Sequence, residues 1–155
     1  MNKSIKELSK NKKAFFDYNI LEKIEAGMVL NGPEVKSVKN GQINLKGSYI
    51  IFHNNEAFLF NAHIAFYQKS SLKNYDPRRE RKLLLHKKEI TYLINKSQEK
   101  GLTVLPLRVY LKNGKIKLEI GIAQGRKKYD KRELIKKREI RREIERTLKR
   151  FSRNH

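Results

Sequence analysis

Residues 102–125 read "LTVLPLRVYLKNGKIKLEIGIAQG", and their pattern decides the fold. Apolar and polar residues alternate on both sides of Lys112-Asn113-Gly114-Lys115, as they do in strands with one buried face. Asn-Gly at the centre suits a tight hairpin turn, which needs positive φ angles that Gly adopts freely and Asn tolerates. Two antiparallel strands are therefore predicted. A second hairpin is predicted from "SYIIFHNNEAFLFNA", where two apolar runs flank His53-Asn54-Asn55-Glu56.

The surrounding chain supplies the rest of a small domain. Residues 18–30 have a strand pattern interrupted by "EAG", where Gly27 tolerates a bend or bulge. "NGPEVKSVKNG" reads as a short helix, with Gly-Pro at its start, Val35 and Val38 on one face, and Asn40-Gly41 closing it. "LLLHKKEITYLINKSQEKG" predicts a helix from Lys87, with Ile90, Leu93 and Ile94 inward and Gly101 as its stop. Residues 64–82, ending in "DPRRERK", have weak periodicity and are predicted to be a loop. The first thirteen residues are polar and predicted loose. Strand pairs separated by helices predict a mainly β domain with helices, in the form of a small antiparallel barrel. The OB-fold belongs to that class and has an open face for polynucleotides, while an SH3-like barrel or another α+β sheet satisfies the same pattern.

Charge narrows the partner. The chain has 155 residues and a formal net charge of +21, a self-repulsion that a polyanion would offset. Residues 126–155 hold 14 Lys/Arg against 5 Asp/Glu, or +9, and residues 1–125 hold 23 against 11, or +12. Body and tail are both basic, which points to one extensive polyanion contacting both. There is no cysteine, so neither a disulfide framework nor a thiolate metal site is available. No apolar run approaches a membrane span, and "MNKSIKELSKNKK" lacks the apolar core of a secretory signal, so a cytoplasmic location is expected.

The tail begins at "GRKKYDKR", residues 125–132. Beyond it Leu134, Ile135, Ile140, Ile144, Leu148 and Phe151 recur at helical spacing, surrounded by Lys136, Lys137, Arg138, Arg141, Arg142, Arg146, Lys149 and Arg150. An arm without a core of its own is expected to be frayed or disordered alone and helical on RNA. A basic amphipathic arm also suits an anionic membrane, but the apolar content of this stripe is low for that role.

Catalytic readings are weak. Asp17 with Glu34-Val35-Lys36 imitates the carboxylates and lysine of some metal-dependent nucleases. That chemistry wants Glu-x-Lys on a strand, whereas Pro33 and the valine spacing favour a helix. His53, His63, His86 and His155 have no metal-ligand spacing, and no glycine-rich phosphate loop or nucleophile elbow occurs. No cofactor is expected. A binding protein is the better reading. In "RRERKLLLHKK" a buried strand would point Leu83 and Leu85 inward and leave Leu84 and His86 against unstacked bases, with Arg78, Arg81 and Lys82 on phosphates. On such a face a carboxylate like Glu25 accepts a hydrogen bond from a base amino group or a 2′-hydroxyl.

Taken in order, "NKKAFFDYNI", "EAG", "GPEVKSVKNG", "NLKGSY", "DPRRERKLLLHKKEI", residues 102–125 and "RKKYDKRELIKKRE" resemble the small protein B family, the SsrA-binding proteins that partner bacterial transfer-messenger RNA. The resemblance covers most of residues 11–139. It implies an OB-like barrel binding the tRNA-like domain of that RNA, and a tail that enters the decoding centre and the empty mRNA channel of a stalled ribosome against small-subunit ribosomal RNA. It implies no enzymatic activity and no membrane, and a monomer is expected when the protein is free. RNA-facing positions fall on Glu25, Leu84, His86 and Lys117, with Lys12, Lys13, Arg81 and Lys82 completing the candidate RNA-binding set. The ribosome-facing motif falls on Lys127, Lys128, Tyr129, Asp130, Lys131 and Arg132. Asp130 is expected to cap the following helix and Tyr129 to stack on a base. The implied organisation is a flexible start (residues 1–10), an RNA-binding barrel (11–125) and a basic tail (126–155). Three departures from the family pattern stand out: Ala65-Phe66-Tyr67 lacks the proline usual after "HI", Tyr75 stands where a histidine is usual, and Gly47 replaces an acid before Ser48-Tyr49.

Overall fold

The computed structural model describes residues 4–153. Its longest hairpin joins β8 (Leu102–Lys112) to β9 (Lys115–Gly125) through Asn113 and Gly114, with φ of 51° and 75°. Both angles are positive, as the turn demands. The second hairpin, β4 (Tyr49–His53) to β5 (Glu56–Phe60), turns at Asn54 and Asn55 with φ of 51° and 59°. The remaining elements are β1 (Ile5–Lys10), α1 (Lys12–Asp17), β2 (Tyr18–Met28), α2 (Gly32–Lys39), β3 (Ile43–Asn44), β6 (His63–Ile64), β7 (Arg81–Leu84), α3 (Lys87–Gln98) and α4 (Lys128–Arg153).

Seven strands form one antiparallel sheet in the order β1-β8-β9-β2-β7-β5-β4, and β3 pairs with β6 beside it. Strand β4 comes back against β8, so the sheet curls into an OB-like barrel. Its interior holds Ala26, Val38, Leu45, Leu59, Ile64, Leu83, Leu93, Val109, Leu118 and Ile120. A smaller cluster of Ala14, Leu105, Leu107 and Ala123 lies under α1. Strand period two separates the faces: Ala26, Leu83 and Leu118 point inward, so Glu25, Gly27, Leu84 and Lys117 point outward.

The start of the chain differs from the loose leader expected. Residues 5–10 form an edge strand on β8, and the main-chain N–H and side-chain amide of Asn11 donate to Leu107 O and Pro106 O, at 2.7 and 2.9 Å. Backbone pairing carries this strand, and that leaves little trace in composition because most of its side chains stay exposed. Pro106 sits within β8 beyond the last residue paired with β1 and beside a register shift against β9, a place where a missing strand N–H is tolerated. The bulge in β2 also lies elsewhere than expected. It falls between Ile20 and Glu22, while Gly27 remains paired with both Lys117 and Leu84.

A buried ion cluster pins α2 and the 65–80 loop to β7. Asn31 caps α2 by accepting from Glu34 N, and Glu34 returns the bond by accepting from Asn31 N. The Glu34 carboxylate also accepts from Arg79 and, at 2.9 and 2.6 Å, from Arg81 Nε and Nη2. Arg81 is 0% exposed and gives its other donors to Ala62 O and Pro77 O. The Tyr75 hydroxyl accepts from Arg81 Nη2 and lies 2.9 Å from Ile64 O. One of the departures finds its reason here: the Tyr75 hydroxyl belongs to this cluster.

The chain divides into one unit up to Gly125 and a second from Arg126. In the second, the tail expected to be disordered or helical is a single helix of 26 residues, none of them buried. At 1.5 Å per residue it is about 39 Å long.

Burial alone would raise the Glu34 carboxyl, but the hydrogen bonds from Arg79 and Arg81 outweigh it and hold the group below its ordinary 4.5. Such a group adds stability above its unfolded pKa and loses it as pH falls through the lower, folded value. Arg81→Ala should cost about 3–5 kcal/mol in urea unfolding, because a buried carboxylate loses its main partner. Glu34→Gln should flatten the fall in stability that the wild type shows on acidification below pH 4.5.

Candidate nucleic-acid interface

Outward residues of four strands line up in register. Tyr110 on β8 stands opposite Lys117 on β9, Lys117 opposite Gly27 on β2, and Gly27 opposite Leu84 on β7. One step along, Arg108, Glu119 and Glu25 form a parallel row. Leu84 is 55% exposed, an unusual expense of apolar surface for a strand residue beside a core. Gly27 leaves room beside it: a Cβ there would lie 3.3 Å from Leu84 Cβ, a tight contact.

Leu84 stands at the junction of three open grooves. The first, about 370 Å³, is lined by Glu25, Gly27, Leu84, His86, Glu89 and Lys117. The second, about 300 Å³, runs past Leu30, Val35, Lys39, Lys115 and Lys117. The third, about 620 Å³, runs past Asn54, Asn55, Lys82, Lys87 and Thr91. His86 sits just before α3, where its main-chain N–H donates to Glu89 Oε1 at 2.9 Å, so the first turn of that helix fixes its place on the rim.

Glu25 is held from the neighbouring strands. The Tyr110 hydroxyl donates to Glu25 Oε2, and Lys112 Nζ lies 3.2 Å from the same oxygen and 3.5 Å from Oε1. The Tyr110 hydrogen bond leads in holding the Glu25 carboxyl below its usual range. Burial, then Glu25 itself, pushes the Tyr110 phenol up. Glu119, directly opposite Glu25, is matched by Arg108 at 2.9 Å.

The structure thus brings Glu25, Leu84, His86 and Lys117 around one groove, with Lys82 on the next. Lys12 and Lys13 lie elsewhere, exposed on α1 at the Tyr18 end of β2, about 23 Å along that strand from Glu25. Arg81 is corrected. It is enclosed with Glu34 and presents nothing to a phosphate, because the phase that buries Leu83 buries it too. Lys39 and Lys115 also line the second groove and Tyr110 and Lys112 hold Glu25, and none of the four was expected from the sequence. The alternation Arg108-Tyr110-Lys112 in "RVYLK" was the signal for two of them.

Glu34 and Lys36 do not form a nuclease site. Glu34 is enclosed by arginines, and the Lys36 ammonium lies 5.3 Å from the centre of the Tyr67 ring. Among the described residues no group of His, Asp and Glu is placed to hold a metal ion. Nor is any helix among them long and apolar enough to cross a membrane.

In the tail, Tyr129 is 69% exposed. Asp130 is not the cap residue expected but the third residue of α4. It reaches back and accepts from Lys127 N at 3.3 Å, which satisfies a first-turn donor from inside the helix. Lys127, Lys128 and Arg132 are exposed beside it.

A barrel with a cationic outward face, a fixed carboxylate and an exposed leucine, followed by a separate basic helix, defines a polynucleotide-binding β-barrel protein. Comparison with known proteins places it further. The chain belongs to the SmpB protein family, whose model matches residues 8–150. It is 55% identical over 146 residues to the SsrA-binding protein of Sulfurihydrogenibium sp. (strain YO3AOP1), covering 94% of this chain and 96% of that one. It is 52% identical over 145 residues to the SsrA-binding protein of Persephonella marina, covering 94% and 95% of the two chains. A chain of the solved structure described as "tmRNA-SmpB: a journey to the center of the bacterial ribosome" superposes with a TM-score of 0.64 at 47% identity, over 77% of this chain and 84% of that one.

Gly27→Ala tests the packing of the face. The new methyl meets Leu84 Cβ, so the Leu84 methyl resonances should shift in NMR spectra while stability changes by less than about 1 kcal/mol. Unmoved Leu84 resonances would show that Gly27 is not what makes room for that side chain.

Proposed function

We propose that this protein is a non-catalytic RNA-binding adaptor that delivers transfer-messenger RNA to stalled ribosomes, with its two units dividing the work. The barrel grips the tRNA-like domain, and the tail engages the ribosome. The observation that carries this reading is the row Lys117–Gly27–Leu84 beside Glu25, in a chain of the SmpB family.

Each residue has a physical part. Lys117 and Lys82, with Lys39 and Lys115, meet phosphates and supply affinity without sequence preference. Leu84 and His86 pack on unstacked bases of a loop, where apolar and imidazole surfaces replace the lost stacking. Glu25 accepts from a base amino group or a 2′-hydroxyl and supplies discrimination. Lys12 and Lys13 reach backbone further along the same RNA, since a folded RNA easily spans the length of β2. Arg81 acts inside the protein and has no part in the contact.

The tail works by charge and one ring. Lys127, Lys128, Lys131 and Arg132 suit the phosphates that line a vacant messenger channel, and Tyr129 stacks on an exposed base of the decoding centre, an interaction worth about 1–3 kcal/mol. Asp130 holds the first turn of α4 so that these side chains are presented together. The cytoplasm, where ribosomes and this RNA meet, is the location that fits.

Two measurements test the division. A chain ending at Gly125 should bind the isolated tRNA-like RNA within about threefold of the full chain, allowing for the loss of a few phosphate contacts. It should fail to support tagging on a message without a stop codon in reconstituted translation. Leu84→Asp should do the reverse, weakening RNA binding at least tenfold while leaving the melting temperature near that of the wild type, since the residue is exposed. Loss of RNA binding on tail removal, with the barrel still folded, would overturn the proposal.

A further inference from the structure

Tyr110 has no part in the core that its burial explains. It is 3% exposed, yet it stands on the outward face of β8, between Arg108 and Lys112, because Val109 takes the inward position. The Arg108 guanidinium lies 4.9 Å from the centre of its ring, and its hydroxyl donates to Glu25 Oε2 from two strands away, across β9. A ring held on all sides gives that hydroxyl one direction.

The need for it follows from the neighbours. Glu25 and Glu119 are direct partners across β2 and β9, a like-charge pair that costs stability unless each carboxylate is answered separately. Arg108 answers Glu119. Glu25 stands within reach of lysines on both β8 and β9, and an unheld carboxylate there would close an ion pair with Lys117. That pair would silence one acceptor and one cation of the same groove. In the structure the ion pair of Glu25 is with Lys112, at 3.2 Å to Oε2, the oxygen already taken by Tyr110. Among the described residues Oε1 keeps only the 3.5 Å approach of Lys112, and Glu25 lines the groove together with Lys117.

We infer that Tyr110 is a positioning residue for RNA recognition: it commits one oxygen of Glu25, leaves the other to accept from RNA, and keeps Lys117 free for phosphate. A phenol suits the task better than a cation. It donates one directed hydrogen bond and adds no positive charge that would further compensate the carboxylate. The inference rests on the RNA-binding reading above and adds a residue that never touches RNA.

The test is Tyr110→Phe in the full chain, alone and with Glu25→Gln, and with Lys112→Met as a second variant. The groups facing Glu25 are Arg108, Tyr110 and Lys112 from β8 and Lys117 and Glu119 from β9, with His86 and Glu89 across the groove. Carbon-13 NMR of the Glu25 side-chain carboxyl follows its own titration among them. Loss of the Tyr110 hydrogen bond should move its midpoint upward. Affinity for the tRNA-like RNA should fall about tenfold in Tyr110→Phe, the scale of one hydrogen bond to a charged group. It should fall no further when Tyr110→Phe is added to Glu25→Gln, because the tyrosine acts through the glutamate. Lys112→Met, which leaves the directed bond intact, should weaken binding less than Tyr110→Phe does. Wild-type affinity in Tyr110→Phe, an unmoved Glu25 midpoint, or full additivity with Glu25→Gln would each overturn the inference. Failure of the wild type to bind the RNA would instead overturn the functional reading, and the carboxyl titration would still decide whether Tyr110 positions Glu25.

Discussion

An arginine turned inward sets much of this molecule. Arg81 occupies a core position on β7, where its charge is tolerable only because Glu34 meets it and the carbonyls of Ala62 and Pro77 take its remaining donors. Glu34 reaches that point because Asn31 and Pro33 start α2 just before it. The pair therefore ties a helix, a long loop and a short strand into one arrangement. It also fixes the phase of β7: with Arg81 inward, Lys82 is outward, Leu83 inward and Leu84 outward. Two of the residues assigned to RNA owe their direction to a neighbour that has none of that work. A buried ion pair of this kind specifies an arrangement more than it stabilises one, and phasing a four-residue strand is a task for which specificity matters.

Much of the architecture was legible because local chemistry and global fold agree. Asn113-Gly114 and Asn54-Asn55 have the conformational tolerance their turns need, and the alternation around them assigns both faces. The helix from Lys87 and the short helix at Pro33 follow from capping and spacing. The parts that escaped are those held by backbone or by charge. β1 pairs through main-chain groups that every residue possesses, so its polar side chains give no warning. Within "RRERK" nothing in composition says which cation turns inward, although carrying the two-residue period back from Leu83 would have reached Arg81. Treating those residues as loop ended the period too early.

Site legibility was uneven for a similar reason. Leu84 and His86 could be read from alternation next to buried leucines, whereas Glu25 and Lys117 depended on resemblance, since an isolated carboxylate or lysine in a strand has no signature of its own. The registers of β2, β7 and β9 bring Glu25, Leu84 and Lys117 together, and the start of α3 adds His86 to their groove. Long-range pairing of that sort is invisible to a local pattern. The register of β8 against β9 brings in Tyr110 and Lys112, which resemblance had not singled out. Asp130 shows a subtler gap: its capping role is real, but it is performed from the third helical position, a difference that a single sequence leaves open.

The long terminal helix carries one more implication. Ile140, Ile144, Leu148 and Phe151 stay exposed along a seam that, on a neutral helix, would invite self-association. The flanking lysines and arginines keep such seams apart by mutual repulsion, so the solubility of the arm is borrowed from the groups that seek a polyanion. Once those groups are neutralised, the seam loses its colloidal protection. The surface that receives the arm must therefore shelter hydrocarbon as well as compensate charge, and a smooth run of phosphates would be an incomplete berth.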